Sequence, residues 1–472
     1  MFQSAKLCNG VPDLFERVST ASHVQSGRFR LISSPISFLL LLAITHAVWA
    51  FGSEPPESAE PITLAHALAL ALERSPQLAA FSWDIRAAEA RILQAKLVPN
   101  PEISYDGEDF TRAGVRSATE SMQNTLVLSQ LIELGGKRSS RVWEAQFDRR
   151  AAEWDYQVKR LEVLKSTSLA FIDVLSGQRK VLLAEENVQL TERGIPATQK
   201  RVEAGKASNV ELIRTNTEAA TARIGLTEAR HDLEAARVNL AAQWGAKKAT
   251  FPSVTGDMEQ LRPIPSLESL KAKLQANPEL AKWTTERQKR EATLSLARAE
   301  GHPDLTINAG PRLLGASRAD MTLVAGFSIP LPLWNRNQGK IAEAEANVAK
   351  TSDERAAAEA GAYAELNEAY QTLGRAAEEV RILRDTVLPG AKSAVDQITE
   401  GYATGRFSQL EVLDARRSYI ETRSQYVRAL SDFQKAAAQI DALTAGPFEL
   451  SSNGPVTTSF PGKGKSKGKS AP

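Results

Sequence analysis

The chain is written twice, and an internal repeat constrains architecture before any local propensity does. Ser75-Pro-Gln-Leu and Pro101-Glu102 recur as Asn277-Pro-Glu-Leu and Pro303-Asp304. Ser129–Ala145 recurs as Ser328–Ala344, and Gly205-Lys-Ala-Ser-Asn-Val-Glu211 as Gly405-Arg-Phe-Ser-Gln-Leu-Glu411. The offset stays at about 200 residues throughout, as a duplication requires. The copies are expected over 62–245 and 264–445, after an N-terminal linker at 51–61 and joined by a Pro-containing linker at 246–263.

Each copy reads in the same order: a short helix, two strands, then two very long helices. The strands carry the period-2 signal in Ile103-Ser-Tyr105, Thr125-Leu-Val-Leu-Ser129, Leu305-Thr-Ile307 and Met321-Thr-Leu-Val-Ala325. Turn-prone Thr111–Val115 and Gly315–Asp320 separate them, so each pair reads as a β-hairpin, with strands at about 102–131 and 304–329. The helices, about 139–245 and 337–445, sustain a heptad. Ala222, Leu226, Ala229, Leu233, Ala236 and Leu240 take its a and d positions, as do Thr422, Tyr426, Ala429, Phe433, Ala436 and Ile440 in the second copy. Between Ser139 and Ala204 a continuous helix would span on the order of 100 Å, too long for a compact globule. With aromatic residues at only 6% of 472 residues, the composition suits long helices better than a sandwich or an α/β enzyme.

A net charge of +2 excludes a protein that binds by neutralising phosphates, so no nucleic-acid partner is expected. Near the N-terminus Arg28 and Arg30 precede the apolar run Ile36–Ala50, which reads as a secretory signal over 1–50, cleaved after Ala50. The region before it is long for a signal, so the true start lies later or the signal is atypical; an inner-membrane anchor is the alternative reading. The single Cys8 falls ahead of that cleavage point, which leaves no disulfide and no acylated cysteine in the mature chain. No later stretch approaches the ~20 apolar residues of a transmembrane helix, so insertion must use strands. The Gly/Ser/Lys-rich tail, 446–472, is expected to be disordered.

Four strands cannot stand alone in lipid, because an open sheet leaves backbone donors and acceptors unpaired along both edges. The barrel must be shared between subunits. Closed membrane barrels generally need at least eight strands, so three subunits giving about twelve is the smallest comfortable solution; a tetramer also satisfies the requirement.

Ser129-Gln-Leu-Ile-Glu-Leu-Gly-Gly-Lys-Arg138 and Phe327-Ser-Ile-Pro-Leu-Pro-Leu-Trp-Asn-Arg-Asn-Gln-Gly-Lys340 resemble the two strand-to-helix junctions of TolC-family outer-membrane factors, closest to the heavy-metal (cobalt-zinc-cadmium) branch. The resemblance covers nearly the whole mature chain. It implies a mainly α fold with a small β part: a homotrimer whose 12-stranded barrel continues into a periplasmic coiled-coil tunnel. The residues of the junctions are consistent with that. Pro330 and Pro332 end sheet pairing, Asn335 or Asn337 can cap the next helix, and Gly135 and Gly136 supply the bend in the first copy.

The far ends of the long helices break at Gly205 and Gly405, which mark hairpin tips. Ser208 and Ser408 each stand three residues before a glutamate, Glu211 and Glu411, in the capping-box arrangement. Asp414 shares the helix face of Glu411. By the resemblance, Glu411 and Asp414 line the periplasmic constriction, and Tyr402 ties to Glu211 between neighbouring hairpins. Phe407 stands where many relatives carry a basic residue. The tips Gly205, Lys206, Ala207, Ser208 and Gly405, Arg406, Phe407, Ser408 are, by the same resemblance, where a periplasmic adaptor docks.

No catalytic constellation, cofactor motif or metal site is evident. His66, His231 and His302 are widely separated, and so are Met122, Met258 and Met321. Gly468-Lys-Ser470 lacks the earlier glycine of a P-loop, Lys463 standing there. The expected function is a passive outer-membrane exit duct for a proton-driven resistance-nodulation-division pump, partnered by an adaptor and an inner-membrane transporter and exporting heavy-metal cations. The alternatives are a drug-pump or type I secretion duct of the same fold, and a periplasmic coiled-coil protein without a pore.

Overall fold

The computed structural model describes residues 60–108, 122–315 and 320–448. The signal, most of the tail and the hairpin connections at 109–121 and 316–319 lie outside the described residues.

The same series of elements runs twice. The first is α1 (Leu64–Arg74), α2 (Pro76–Ala95), β2 (Glu102–Glu108), β3 (Gln123–Ile132), α3 (Lys137–Glu203) and α4 (Asn209–Ala242). The second is α5 (Leu267–Leu274), α6 (Pro278–Glu300), β5 (Leu305–Leu314), β6 (Met321–Ser328), α7 (Gln338–Ile382), α8 (Leu388–Ala403) and α9 (Gln409–Leu443). A helix pair therefore precedes the strands in each copy, where the sequence suggested one short helix. Pro76 and Pro278 cause the split: each takes the first position of its second helix, and Ser75 and Asn277 before them are held extended.

Between α7 and α8 the helix widens to a π turn, Leu383–Val387, in which Leu388 N–H reaches back five residues to Leu383 O. Pro389 follows directly and has no N–H to continue the α ladder, a usual setting for such a bulge.

Pairing in the main sheet runs β2-β3-β5-β6, antiparallel throughout. Its register gathers Ile103, Tyr105, Leu126, Leu128, Ile307, Phe327 and Leu323 on one face, and Glu102, Ser104, Asp106, Thr125, Asn308, Arg312 and Ser328 on the other. The apolar face is bare: Ile103, Leu323 and Phe327 are 74%, 79% and 75% exposed. That inverts the pattern of a water-soluble sheet.

The core sits at the middle of the long helices. Leu164, Phe171 and Ile172 of α3, Leu240 of α4, Val380 of α7 and Leu430 of α9 form one buried cluster with Leu68, Trp244, Phe251 and Met258. Leu270, Leu274, Leu366, Leu373, Phe433 and Ile440 form a second. Phe251 and Met258 belong to the segment read as a linker, and here the structure differs from that reading. Val254–Thr255 (β4) pairs in parallel with Ile62–Thr63 (β1), and the Gln178 side chain bonds both the N–H and the C=O of Val254, at 2.8 and 3.0 Å. The segment is bound into the core because its apolar side chains have the helix waist to pack against. The heptad seam is buried along α9 at Thr422, Ala429, Phe433, Ala436 and Ile440, whereas along α4 only Ala222 and Leu240 are fully covered.

Candidate channel gate and strand-to-helix junctions

At the helix tips, α3 and α8 both end on a left-handed glycine, Gly205 at φ 67° and Gly405 at φ 81°. The next amides, Lys206 N–H and Arg406 N–H, return to Arg201 O and Gly401 O at 2.8 Å each, a Schellman closure that satisfies the last carbonyls. Both capping boxes are formed. In the first, Ser208 N–H donates to Glu211 at 3.4 Å; in the second, Ser408 N–H and Oγ–H donate to Glu411 at 2.7 and 2.8 Å. These bonds from the Ser408 backbone and hydroxyl hold the Glu411 carboxyl below the usual glutamate range.

Glu411 and Asp414 are both exposed. Asp414 opens on a cleft of about 270 Å³ that Arg214, Glu218, Leu410 and Arg417 also line. One carboxylate is thus engaged in a helix cap, and the other shares its surroundings with two guanidinium groups.

Tyr402 is buried, and its hydroxyl has no hydrogen-bond partner among the described residues. No bond to Glu211 forms inside the protomer, where Glu211 serves its own helix cap. The ring is instead covered by Arg201, whose guanidinium carbon stands 4.4 Å from the ring centroid and whose Nη1 donates to Tyr402 O at 3.1 Å. Further ties between the two tip hairpins run from Gln409 to Thr215 Oγ1 at 3.2 Å, from Arg416 to Leu190 O at 3.4 Å, and from Arg417 to Glu218 at 3.4 Å. Burial pushes the Arg416 guanidinium down from its ordinary value. Phe407 packs against Gly401, where an added Cβ would lie 2.3 Å from the ring.

The junctions at the other end turn on left-handed residues. Gly135 and Gly136 have φ of 70° and 76°, and in the second copy Asn337 takes φ 61° at the N-cap of α7. Asn337 does not cap with its side chain: Nδ2 donates to Ala297 O at 2.7 Å, tying the start of α7 to the end of α6, while Asn335 Oδ1 accepts from Asn337 N–H at 3.0 Å. β6 ends at Ser328, two residues before Pro330, and Pro332 O accepts from Arg336 Nε at 3.1 Å. The first junction is clamped by Asp304, which accepts from Leu134 N–H at 3.1 Å and meets Lys137 Nζ at 2.7 Å.

Residues 67–246 and 270–446 match the family described as outer membrane efflux protein. This chain belongs to that family. It is 34% identical over 389 residues to the cobalt-zinc-cadmium resistance protein CzcC of Cupriavidus metallidurans, covering 82% of this chain and 91% of the relative. To the nickel-cobalt-cadmium resistance protein NccC of Alcaligenes xylosoxydans xylosoxydans it is 26% identical, covering 68% and 70%. Among solved structures it resembles the CusC channel, with a TM-score of 0.69 at 15% identity over 84% of this chain and 96% of that one. The outer membrane protein VceC of Vibrio cholerae is similar at a TM-score of 0.66 and 20% identity, over 82% and 97%. The chain is therefore an outer-membrane efflux protein with the TolC-type fold, and its family is one of channels.

Within that family fold, Arg201, Gln409 and Arg416 link the tip hairpins, and sequence reasoning did not single them out. Arg201 lies four residues before Gly205 and Gln409 four after Gly405, but no local pattern distinguishes them from the many other polar residues of these helices.

Proposed function

We propose that three copies of this chain close one twelve-stranded barrel and form the exit duct of a tripartite heavy-metal efflux pump. The observation that carries the reading is the four-stranded sheet with a bare apolar face and a polar opposite face, standing on helices far too long for a globule. β2 and β6 have one neighbour each among the described residues, and lipid tolerates no open edge. The apolar face then meets the bilayer and the polar face lines the lumen.

The cargo class follows the relatives named for cobalt, zinc, cadmium and nickel resistance. Among the described residues no three His, Cys, Asp or Glu side chains gather as a metal site. The duct is accordingly read as conducting cations released to it by a proton-driven inner-membrane transporter through a periplasmic adaptor docked at the tips 205–208 and 405–408. Glu411 and Asp414 would ring the constriction and favour cations. The ties that hold it shut are the Arg201–Tyr402 stack within each subunit and, between subunits, a bond from the unpartnered Tyr402 hydroxyl to Glu211 of the partner subunit.

Two experiments test this. A deletion strain should lose tolerance to divalent metals of the cobalt, zinc or cadmium type while its tolerance to dyes and detergents stays unchanged; the reverse result would reassign the cargo. Purified protein should give discrete, cation-preferring conductance steps in planar bilayers, and a preparation without steps would remove the pore.

A further inference from the structure

Inside the protomer the first copy meets the second along two helices as well as along the sheet. α3 and α6 run antiparallel, and four contacts mark their register. Ser140 Oγ stands 3.3 Å from Ser295 Oγ, Thr293 Oγ1 donates to Glu144 at 2.7 Å, Lys289 meets Asp148 at 2.8 Å, and Trp154 Nε1 donates to Thr285 Oγ1 at 2.9 Å. β2 and β6 are the edges of the sheet. In a closed ring α7, which follows β6, therefore comes beside the α2 that leads into the next subunit's β2. That step repeats the packing of α3 on α6, now between subunits.

The structure fixes which residues are equivalent. α3 begins behind left-handed Gly136 and α7 behind left-handed Asn337, an offset of 201. Pro76 opens α2 and Pro278 opens α6, an offset of 202 that Pro101 and Pro303 keep. The two junctions differ in length, so the offset of 199 that aligns Ser129 with Ser328 does not hold inside the helices. Packing within each copy agrees with this equivalence. Arg91 on Asp148 in the first copy carries onto Thr293 and Ala349 in the second, where Arg298 on Glu345 and Arg290 on Thr351 fall to either side.

The faces concerned are bare in the protomer. On α2, Ala88 and Ala95 are buried, whereas Trp83, Ala87, Arg91 and Leu93 are exposed, Trp83 at 63% and Leu93 at 67%. On α7, Ala344 and Thr351 are buried, whereas Glu345, Ala349 and Arg355 are exposed. We infer that α7 packs antiparallel on α2 of the partner subunit, with Ile341 against the partner subunit's Leu93, Glu345 against the partner subunit's Arg91, Ala349 against the partner subunit's Ala87, and Arg355 over the partner subunit's Trp83. Only the glutamate is shared with the α3–α6 contact, yet every position is matched: apolar on apolar, carboxylate on guanidinium, small on small where the helices approach, and cation on ring. The Glu345 contact also joins two pairs already formed within each subunit, Arg298–Glu345 at 2.8 Å and Arg91–Asp148 at 2.7 Å, into one row of alternating sign. The inference rests on the closed-ring reading above and adds the helix interface to it.

Cysteine pairs test the register in a Cys8→Ser background, Cys8 being the only cysteine of the chain. Ala349→Cys/Ala87→Cys puts both thiols at positions exposed in the protomer, and mild oxidation should give covalent dimers and trimers. Ala349→Cys/Ala80→Cys, whose second thiol lies about 10 Å away along α2, should not. Cross-linking of the second pair instead of the first overturns the register. A trimer by light scattering in which neither pair cross-links overturns the interface while leaving the duct intact, and a monomeric protein overturns both. The ring contact has its own readout. Trp83→Ala should shorten the lifetime of the detergent-solubilised trimer about tenfold; Arg355→Leu should shorten it about threefold in the wild type and not at all in the Trp83→Ala background. An unchanged lifetime in Trp83→Ala, or an equal effect of Arg355→Leu in both backgrounds, overturns that contact.

Discussion

Replacing the turn glycines by alanine separates two costs that the structure assigns unequally. Gly205 and Gly405 have left-handed φ but nothing within 4 Å of an added Cβ, so alanine there meets only the backbone penalty, about 1–2 kcal/mol. At Gly136 the nearest atom is Ser139 Oγ at 3.3 Å, a side chain that can rotate, and the cost should be similar. Gly135 differs. Its added Cβ would lie 2.6 Å from His302 Cβ and 2.7 Å from two ring carbons. Rotation of the ring leaves the Cβ contact in place, so the chain at His302 must itself move. That chain is held: Gly301 N–H bonds Arg298 O at 3.2 Å, His302 N–H bonds Ala299 O at 3.0 Å, and Asp304 is clamped to Lys137 at 2.7 Å. Overpacking against a fixed neighbour adds about 1–3 kcal/mol, which puts Gly135→Ala at about 2–5 kcal/mol. Thermal melting of the detergent-solubilised protein, followed by far-UV circular dichroism, should rank Gly135→Ala well below Gly205→Ala, with Gly136→Ala near the latter. Adding His302→Gly to Gly135→Ala should recover the steric share and leave the left-handed share. If Gly135→Ala melts no lower than Gly205→Ala, the junction is softer than its contacts imply and the argument fails.

Three further outcomes are expected. Glu411→Gln with Asp414→Asn should keep the tips folded, since glutamine also closes a capping box, but should weaken cation preference in bilayer recordings; unchanged selectivity would remove these carboxylates from the pore. The depressed Glu411 carboxyl stabilises its tip at pH values above the unfolded glutamate value of about 4.3, and this is lost as pH falls through the lower folded value. Protection of the first-turn amides of α9, taken relative to their intrinsic exchange rate at each pH, should therefore fall in acid in the wild type and stay nearly flat with pH in Glu411→Gln. Asp148 follows the same sign: burial pushes it up, but bonds from Lys289 and Arg91 prevail and hold it low, so Asp148→Asn should lower the melting temperature at neutral pH and much less in strong acid.

What could be read from the residues alone was whatever repeats over a few positions. Period-2 alternation located the four strands of the main sheet, the heptads marked the long helices, and Gly205 and Gly405 marked their ends, because each signal arises between residues in the same turn or pleat. The Ser208 and Ser408 capping boxes were legible for the same reason: donor and acceptor are three residues apart. The roles of Asn337 and of the 246–263 segment were not. Asn337 sits where a cap would, yet its side chain reaches Ala297 O on another helix, and Phe251 and Met258 look like linker residues until the helix waist is there to bury them.

The sequence by itself determined that this chain is a duplicated, helix-dominated protein whose membrane-competent elements after the N-terminal apolar run are strands, since periodicity and repetition are properties of the chain order. Tertiary structure alone decided the contacts joining positions remote in that order: Arg201 over Tyr402, Asp304 on Lys137, and a two-residue parallel sheet closing the waist. Such pairs leave no local signature, because their energies depend on which helices the duplication lays side by side.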